Sequence, residues 1–354
     1  MIISRTPFRI SFFGGGTDYP MWFEKHKGAV LATSIDKYCY ITCRYLPPFF
    51  EHKSRIIYSQ MEHVQRIDQI DHPAVREVLR FMKVKDGVEI HHDGDLPARS
   101  GLGSSSSFTV GLLNSLYALL GKMPTKEKLA QEAIKIEQQR CKENVGCQDQ
   151  ILASYGGFNL IEFGGKNHLN VRTMTLSEQQ IADLEDHLMM FFTGFHRPAQ
   201  NKNVPTGRFA GDTKELRRTP SSQLIAYQLK KMEKKAKEYK QLYNMVFEAI
   251  DVLNNGKLKD FGRLLHESWM IKRKLSDKIT TDQIDEVYHA ALTAGALGGK
   301  IAGAGGGGFM ILFVEPKKQK EVRRQLKKLL EIPFRFENQG SQIIFYQPQT
   351  SRMP

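Results

Sequence analysis

The stretch "LPARSGLGSSSSFTVGLL", residues 96–113, places two glycines and four consecutive serines directly before an apolar run. Gly101 and Gly103 allow positive φ angles and close approach of the backbone to another molecule. From Ser104 the apolar residues recur at helical spacing until Gly121. The first N–H groups of a helix have no acceptor within it, and they lie at the positive end of its dipole. The stretch therefore predicts an anion site suited to nucleotide phosphates, with a plain serine cap as the alternative.

Two familiar glycine motifs do not account for this chain. The P-loop pattern GxxxxGK[ST] is absent, because "GALGGKI" near Lys300 fails it in spacing and in its last residue. Gly303, Gly305 and Gly308 have the spacing GxGxxG, but they precede the apolar segment "FMILFV" instead of following a strand and opening a helix. The sequence therefore argues against a Rossmann dinucleotide site.

Length and hydropathy limit the class of protein. The chain has 354 residues, more than the roughly 250–300 at which one core usually divides, so two domains are expected. Apolar runs such as "LMMFF" fall far short of the about 20 residues that span a bilayer. The segment "MIISRTPFRISFF" lacks the pattern of a secretory signal. We expect a cytoplasmic protein with no membrane partner.

The charge balance raises one further class of partner. Lys and Arg number 51 against 38 Asp and Glu, giving a net charge of +13, and basic patches bind nucleic acid. However, the basic runs "KKMEKKAKEYK" and "EPKKQKEVRRQLKK" contain acids at helical spacing, as solvated helix faces do. We therefore predict no nucleic-acid partner. The alternative source of the excess charge is a cleft that attracts a small anionic substrate.

The order of predicted elements indicates the fold class. Strands dominate the first half, with helices starting near Ser104 and Thr125. The second half is rich in helices and has its own predicted strands, so a sheet is expected in each half. The sequence predicts an α+β fold with domains at 1–170 and 171–354. Helices are expected in the second half at about 224–253, 257–274, 281–295 and 316–330, and strands at 188–195, 309–314 and 341–347.

Three stretches resemble, in order and spacing, the three motifs of the GHMP kinases, the family of galactokinase, homoserine kinase and mevalonate kinase. They are "RTPFRISFFGGGTDY" at 5–19, "LPARSGLGSSSS" at 96–107 and "KIAGAGGGGF" at 300–309. The resemblance covers nearly the whole chain. It implies a two-domain fold with the active site between the domains, ATP as the phosphate donor and Mg²⁺ as the metal.

The second motif implies both a phosphate site and a metal site. By motif position, Ser105 is the expected Mg²⁺ ligand, with Ser104 and Ser106 as alternatives. The family also implies a glutamate on the following helix, and Glu137 stands at the matching place. A hard cation suits carboxylate, hydroxyl and phosphate oxygens. An exposed helix acid is the alternative, which fits Glu132 and Glu143 better. The residues expected to bind the ATP phosphates are Arg99, Gly101, Leu102, Gly103, Ser104, Ser105 and Ser106.

Two residues are implied to act on the acceptor hydroxyl. The segment "GCQDQ" resembles the one that carries the catalytic aspartate of galactokinase, which makes Asp149 the candidate to orient and deprotonate the hydroxyl. The alternative is that Asp149 caps the helix "QDQILASY". Arg9 matches the arginine of the first motif. An adjacent cation keeps a carboxylate ionised, which favours positioning over strong general-base action.

The first motif also implies an acceptor site. Thr17, Asp18 and Tyr19 match the family's sugar-binding segment Thr-Asp-Tyr. Galactokinase has Glu-His before this segment, whereas this chain has Gly15 and Gly16. The change predicts lost polar contacts to a hexose, free space, and a larger acceptor or one recognised elsewhere.

Together with "FTGFHRPA" at 192–199, "GGGTD" resembles the heptose 7-phosphate kinases of the family, which phosphorylate O1 of a heptose that already carries a phosphate. Such an acceptor needs cationic side chains, and the candidates are Arg197, Lys300 and Arg99. The third motif is expected to close over the transfer region and to supply N–H groups from Gly303, Ala304, Gly305 and Gly306. A tight loop packed on the following strand is the simpler reading.

Other functions stay open at this level. A fucokinase-like sugar 1-kinase also fits a glycine-rich first motif. A non-catalytic sugar sensor on the same fold is a third possibility, although a sensor does not need Arg9, Ser105, Glu137 and Asp149 together. The sequence does not decide whether the protein is a homodimer.

Overall fold

The computed structural model describes residues 1–85, 87–98, 100–165, 168–194, 231–276 and 279–347. No helix within these ranges is long and apolar enough to cross a membrane. The strands are Ile2–Phe13 (β1), Gly28–Tyr45 (β2), Ser54–Ile57 (β3), Met61–Val64 (β4), Val88–Gly94 (β5), Phe158–Gly164 (β6), His168–Thr173 (β7), Leu188–Gly194 (β8), Ala296–Ile301 (β9), Gly308–Val314 (β10), Leu330–Glu331 (β11) and Gln342–Tyr346 (β12). The α-helices are Pro20–Phe23 (α1), Pro73–Phe81 (α2), Ser104–Leu119 (α3), Lys126–Lys135 (α4), Gln148–Tyr155 (α5), Glu178–Asp186 (α6), Ala236–Asn255 (α7), Leu258–Arg273 (α8), Asp282–Thr293 (α9) and Pro316–Gln325 (α10).

The larger sheet is organised around β2, a strand of 18 residues. One edge of β2 pairs along its length with β1. The other edge is shared, because its first half pairs with β6 and its second half with β5. The sheet order is β12-β1-β2-β5-β3-β4, with β6 on β2 and β7 on β6. The pairs are antiparallel except β3 with β5. Every motif of the first half is thereby attached to one sheet.

The smaller sheet has the order β11-β8-β10-β9 and is antiparallel. Its strand β10, "GFMILFV", is buried at every position. The reason is that its two faces enter different cores: Phe309, Ile311 and Phe313 join the core of β1, while Met310, Leu312 and Val314 join a core with Trp269. A strand covered on both faces reads as a continuous apolar run, which explains the sequence pattern.

The helices of the second half place that sheet against β1. Phe261 of α8 packs edge-on against Phe13 with ring centroids 5.1 Å apart, and it also contacts Phe12 and Phe313. The end of β1, which lies within the first motif, is therefore held by residues of the second half. Aromatic pairs of this geometry add about 0.5–1.5 kcal/mol beyond the area that they bury.

The structure confirms the α+β fold and most predicted elements, with three differences. The final strand β12 does not extend the second sheet but pairs with β1, Ile2 opposite Tyr346. The helix after Thr125 ends at Lys135 and continues as a π-helical turn over Ile136–Arg140. Of the helix predicted at 224–253, the described residues contain α7, Ala236–Asn255, and residues 224–230 lie outside them. The predicted domain boundary at residue 170 stays a prediction.

Candidate active site

The loop before α3 has the backbone that its glycines predict. Gly101 and Gly103 have φ angles of +85° and +80°, and Gly103 is the N-cap of the helix that starts at Ser104. Leu102 between them is fully buried, and its carbonyl accepts a bond of 3.0 Å from the N–H of Arg9. The phosphate loop, residues 100–106, is thereby attached to β1.

A bidentate ion pair lies against this loop. Arg9 donates from Nε to Asp149 Oδ1 at 2.7 Å and from Nη2 to Oδ2 at 2.6 Å. Its Nη1 donates to the carbonyl oxygen of Gly101 at 2.6 Å. The two residues are 140 positions apart in the chain, and the structure brings them together as predicted. Because the helix of Asp149 begins after Cys147 without a side-chain cap, the carboxylate's partner is Arg9 and not the helix end.

The exposed member of the pair is the carboxylate. The Arg9 side chain is 6% exposed and that of Asp149 is 24% exposed. A Cβ atom at Gly103 would lie 3.4 Å from Asp149 Oδ2 and 3.2 Å from Arg9 Cγ. The absence of a side chain at Gly103 therefore lets the carboxylate approach the start of the phosphate-loop helix. A group bound at that helix start would lie next to Asp149.

Glu137 forms the second polar centre, and it lies on the π-helical turn after α4. The residue is 1% exposed. Its Oε2 accepts from Ser106 Oγ at 2.9 Å and from Gln150 Nε2, while its Oε1 is buried without a hydrogen-bond partner. Burial, with Glu143 nearby, raises the pKa of Glu137 to about 8. An orphaned carboxylate oxygen of this kind is costly unless a cation or a proton satisfies it.

These residues fit Mg²⁺. The orphaned Oε1 and the hydroxyl of Ser106 are hard oxygen donors. Among the described residues no three His, Cys, Asp or Glu side chains gather at one point. A cation here would thus take its remaining ligands from nucleotide phosphates and water. The serine in contact with Glu137 is Ser106, whereas Ser105 is exposed. The geometry therefore favours Ser106 as the Mg²⁺ ligand over Ser105, which motif position had suggested first.

The third motif packs on the phosphate loop. A Cβ atom at Gly101 would lie 2.5 Å from the carbonyl oxygen of Ala302, and one at Gly303 would lie 2.7 Å from Gly101 Cα. Likewise, a Cβ at Gly308 would lie 2.3 Å from the Ser100 carbonyl oxygen. The glycines are needed because two backbones touch there. The predicted loop, with Ala304, Gly305 and Gly306, therefore lies beside the predicted phosphate site.

The first motif leads into a buried acidic turn. Asp18 is 1% exposed, and its oxygens accept the N–H groups of Gly16 at 3.0 Å and Gln148 at 3.3 Å. Burial and the neighbouring Asp149 raise its pKa. Thr17 Oγ1 lies 2.9 Å from the carbonyl oxygens of Gly14 and Ala29, so its hydroxyl fastens the turn to β2. Burial and the Asp18 carboxylate raise the pKa of Tyr19 above its ordinary value.

The prediction of free space beside Gly16 is wrong. A Cβ atom there would lie 2.9 Å from Cε1 of Tyr239, a buried residue of α7. The Tyr239 ring also packs against Trp22, with centroids 5.1 Å apart. At Gly15 the nearest atom to a Cβ would be Ser11 Oγ at 3.5 Å, so some room is left on that side. Sequence reasoning missed Tyr239 because nothing near it in the chain marks it.

Comparison with known proteins agrees with this geometry. Residues 70–157 match the GHMP kinases N terminal domain, and residues 249–332 match the GHMP kinases C terminal domain. The chain belongs to the GHMP kinase family. It is therefore a phosphotransferase that acts on a sugar or another alcohol, and the sensor alternative is set aside.

Several relatives match this kinase over most of its length. The D-glycero-alpha-D-manno-heptose 7-phosphate kinase of Campylobacter jejuni is 28% identical over 92% of this chain and 93% of that protein. The bifunctional fucokinase/GDP-fucose pyrophosphorylase of Arabidopsis thaliana is 24% identical over 94% of this chain and 32% of that protein. The crystal structure of a D-glycero-D-manno-heptose 1-phosphate kinase from Bacteriodes thetaiotaomicron superposes with a TM-score of 0.74 at 22% identity, covering 96% of this chain and 98% of that one.

Three basic residues were predicted to bind a phosphate on the acceptor, and the described part of this GHMP kinase includes one of them, Lys300. Arg99 and Arg197 lie outside the described residues. Lys300 is 5% exposed, and its Nζ donates to the carbonyl oxygens of Ser11 at 2.7 Å and Phe12 at 3.2 Å. Burial and the nearby Lys272 and Arg9 charges lower its pKa strongly. The structure thus shows Lys300 fastening the end of β1, and its phosphate role stays a prediction.

The contact between the second and third motifs gives a first testable expectation. Gly101→Ala combines a left-handed backbone, which costs a non-glycine residue about 1–2 kcal/mol, with a clash against Ala302. Gly121→Ala is the matched control, because its φ is +68° and no atom lies within 4 Å of a Cβ there. In urea unfolding, Gly101→Ala should lower the free energy of unfolding more than Gly121→Ala does. Of the two variants, only Gly101→Ala should raise the KM for ATP. Equal losses of unfolding free energy in the two variants, with an unchanged KM for ATP, would contradict close packing of the third motif on the phosphate loop.

Proposed function

We propose that this kinase uses ATP and Mg²⁺ to phosphorylate the anomeric C1 hydroxyl of D-glycero-D-manno-heptose 7-phosphate, giving the 1,7-bisphosphate for nucleotide-activated heptose synthesis. Its supporting observation is the likeness to a heptose 7-phosphate kinase, which extends over 92% of the chain. The net charge of +13 is compatible with an anionic acceptor. We also propose that the enzyme acts in the cytoplasm on small molecules and without a nucleic-acid partner.

In this proposal Asp149 acts on the acceptor. Its carboxylate orients the C1 hydroxyl and accepts the proton as the oxygen forms a bond to the γ-phosphorus and the bond to ADP breaks. The bidentate contact with Arg9 fixes the orientation of the carboxylate. The same guanidinium neutralises charge that develops on the transferred group.

The phosphate loop binds the donor in the same proposal. The N–H groups and hydroxyls that follow Gly103 would hold the phosphates at the positive end of α3. Glu137 and Ser106 would hold Mg²⁺, which supplies charge neutralisation for the donor phosphates when bound. Thr17 and Tyr239 shape the acceptor side, while the candidates for binding the acceptor's own phosphate are still Arg99, Arg197 and Lys300.

A panel of acceptors tests the substrate. ADP release would be measured with Mg²⁺ and ATP on D-glycero-D-manno-heptose 7-phosphate, the unphosphorylated heptose, mannose, fucose, galactose, homoserine and mevalonate. We expect turnover confined to the heptose phosphate, because recognition of the 7-phosphate should require its charge. Turnover of fucose would favour the fucokinase-like alternative, which the Arabidopsis relative supports. Equal turnover of the two heptoses would contradict recognition of the phosphate.

A further inference from the structure

A lysine outside the three motifs contacts the loop next to the transfer site, which is the region of Arg9, Asp149 and the phosphate loop. Lys272 is in the last turn of α8, and its Nζ donates to the carbonyl oxygen of Gly303 at 2.6 Å. The side chain is half-buried. Gly303 lies in the loop that packs on Gly101, and the Gly101 carbonyl accepts from Arg9. Lys272 is therefore connected, through two backbone contacts, to the pair formed by Arg9 and Asp149.

The charges around Lys272 come from several elements. Burial and the positive charge of Arg9 on β1 lower the pKa of Lys272 to about 8, while Asp18 acts in the opposite direction. Lys300 of β9 is close enough for the two ammonium groups to repel each other. On the same helix as Lys272, the adjacent Arg273 donates to Asp285 Oδ2 at 2.6 Å, so its charge is paired there.

The basic side chains Lys272 and Lys300 both lie within the electrostatic influence of Arg9 and Asp18, and Arg9 is paired with Asp149. Bringing like charges together out of water is unfavourable in the absence of a compensating anion. The phosphoryl group that passes between donor and acceptor is such an anion, and family membership places it in this reaction. An ammonium has three N–H donors, so the bond to Gly303 does not exhaust what Lys272 can donate.

We propose that Lys272 is a positioning residue of the transfer site, which holds the loop 302–308 on the phosphate loop through the Gly303 carbonyl and adds positive charge beside the transferred phosphoryl group. The proposal concerns phosphoryl transfer to whichever acceptor the kinase uses. It is independent of the identity of the heptose. A neutral side chain at 272 would lose both the bond to the loop and the charge.

Three variants test this inference: Lys272→Met, Lys272→Arg and, as the matched control, the exposed neighbour Lys274→Met. Lys272→Met should lower kcat by about 10²-fold, the size expected when one fixed donor to a transition-state anion is removed. The KM values for ATP and acceptor should change much less. Lys272→Arg should recover most of the lost kcat, because it keeps the charge and a donor. Lys274→Met should behave as wild type.

A pH comparison separates a charged role from a purely structural one. The Lys272 ammonium loses its proton as the pH rises through about 8, whereas an arginine stays charged. The ratio of kcat/KM for Lys272→Arg to kcat/KM for wild type should therefore rise across that pH, because kcat/KM reports the ionisation of the free enzyme, and other titrating groups cancel in the ratio. If Lys272→Met does not fold, which circular dichroism would show, this ratio alone decides the question.

Several results would overturn the inference. They are a folded Lys272→Met enzyme with the kcat of Lys274→Met, a Lys272→Arg enzyme no better than Lys272→Met, or a constant ratio across the pH range. All rates are measured with an acceptor that the wild type turns over and are expressed relative to wild type. A failure of the heptose proposal would therefore appear in the wild-type panel and would leave these ratios unchanged.

Discussion

Asp149→Asn is expected to lower kcat by about 10³-fold, within the range that positioned proton acceptors contribute. Asparagine keeps the shape and one acceptor oxygen for Arg9, but it loses the charge and the capacity to take a proton. Binding of ATP, measured by calorimetry, should survive, because the phosphate loop is attached to β1 through Leu102 and not through this carboxylate. The loss should therefore appear in kcat and not in nucleotide affinity.

The matched control is Asp183→Asn in α6, where the carboxylate accepts from Gln179 Nε2 and does not contact Arg9. It should leave kcat and nucleotide affinity at wild-type values. Near-normal turnover by Asp149→Asn would show that another group accepts the proton. Loss of nucleotide binding together with turnover would instead assign Asp149 a structural role in holding Arg9 against the loop.

Glu137→Gln is expected to raise the Mg²⁺ concentration for half-maximal activity by at least about tenfold, since changes around metal ligands commonly cost 10–100-fold in affinity. The amide can still accept from Ser106, but it carries no charge for the cation. In wild type, proton and Mg²⁺ compete for this carboxylate, whose pKa is raised to about 8. The Mg²⁺ affinity of wild type should therefore increase as the pH rises toward 8, and that increase should be absent in the variant.

The same raised pKa makes a prediction about stability without Mg²⁺. The folded state holds the Glu137 proton more tightly than the unfolded chain, so this group destabilises the fold progressively as the pH rises from its ordinary pKa to about 8. Glutamine is neutral throughout and avoids this loss. In urea unfolding, Glu137→Gln should match wild type near pH 5 and be more stable than wild type above about pH 8.

Glu132→Gln serves as the control for both measurements, because Glu132 is on the preceding helix turn and accepts from the hydroxyl of Tyr117. It should leave the Mg²⁺ requirement unchanged. A Glu137→Gln enzyme with a wild-type Mg²⁺ requirement would remove Glu137 from the metal site. A wild-type protein more stable than the variant above pH 8 would contradict a buried carboxyl that is destabilised by its own ionisation.

The residues that sequence alone could predict are those whose role depends on the local backbone. The glycines at 101 and 103 require positive φ, and the helix after them starts at Ser104, as the pattern indicates. The partners Arg9 and Asp149 were predictable from their motifs, although the chain separates them by 140 positions. The apolar run of β10 and the amphipathic helices likewise follow from residue type and period.

Only the tertiary structure decided how these segments meet. The π-helical turn at Ile136–Arg140 directs Glu137 onto Ser106, and residue 105 faces away. Tyr239 of α7 fills the space beside Gly16, and Lys272, which no motif marks, donates to the carbonyl oxygen of Gly303. The last strand returns to β1 and not to the second sheet. These contacts join residues far apart in the chain, and packing of the two sheets and their helices selects them, because local propensity carries no information about a distant partner.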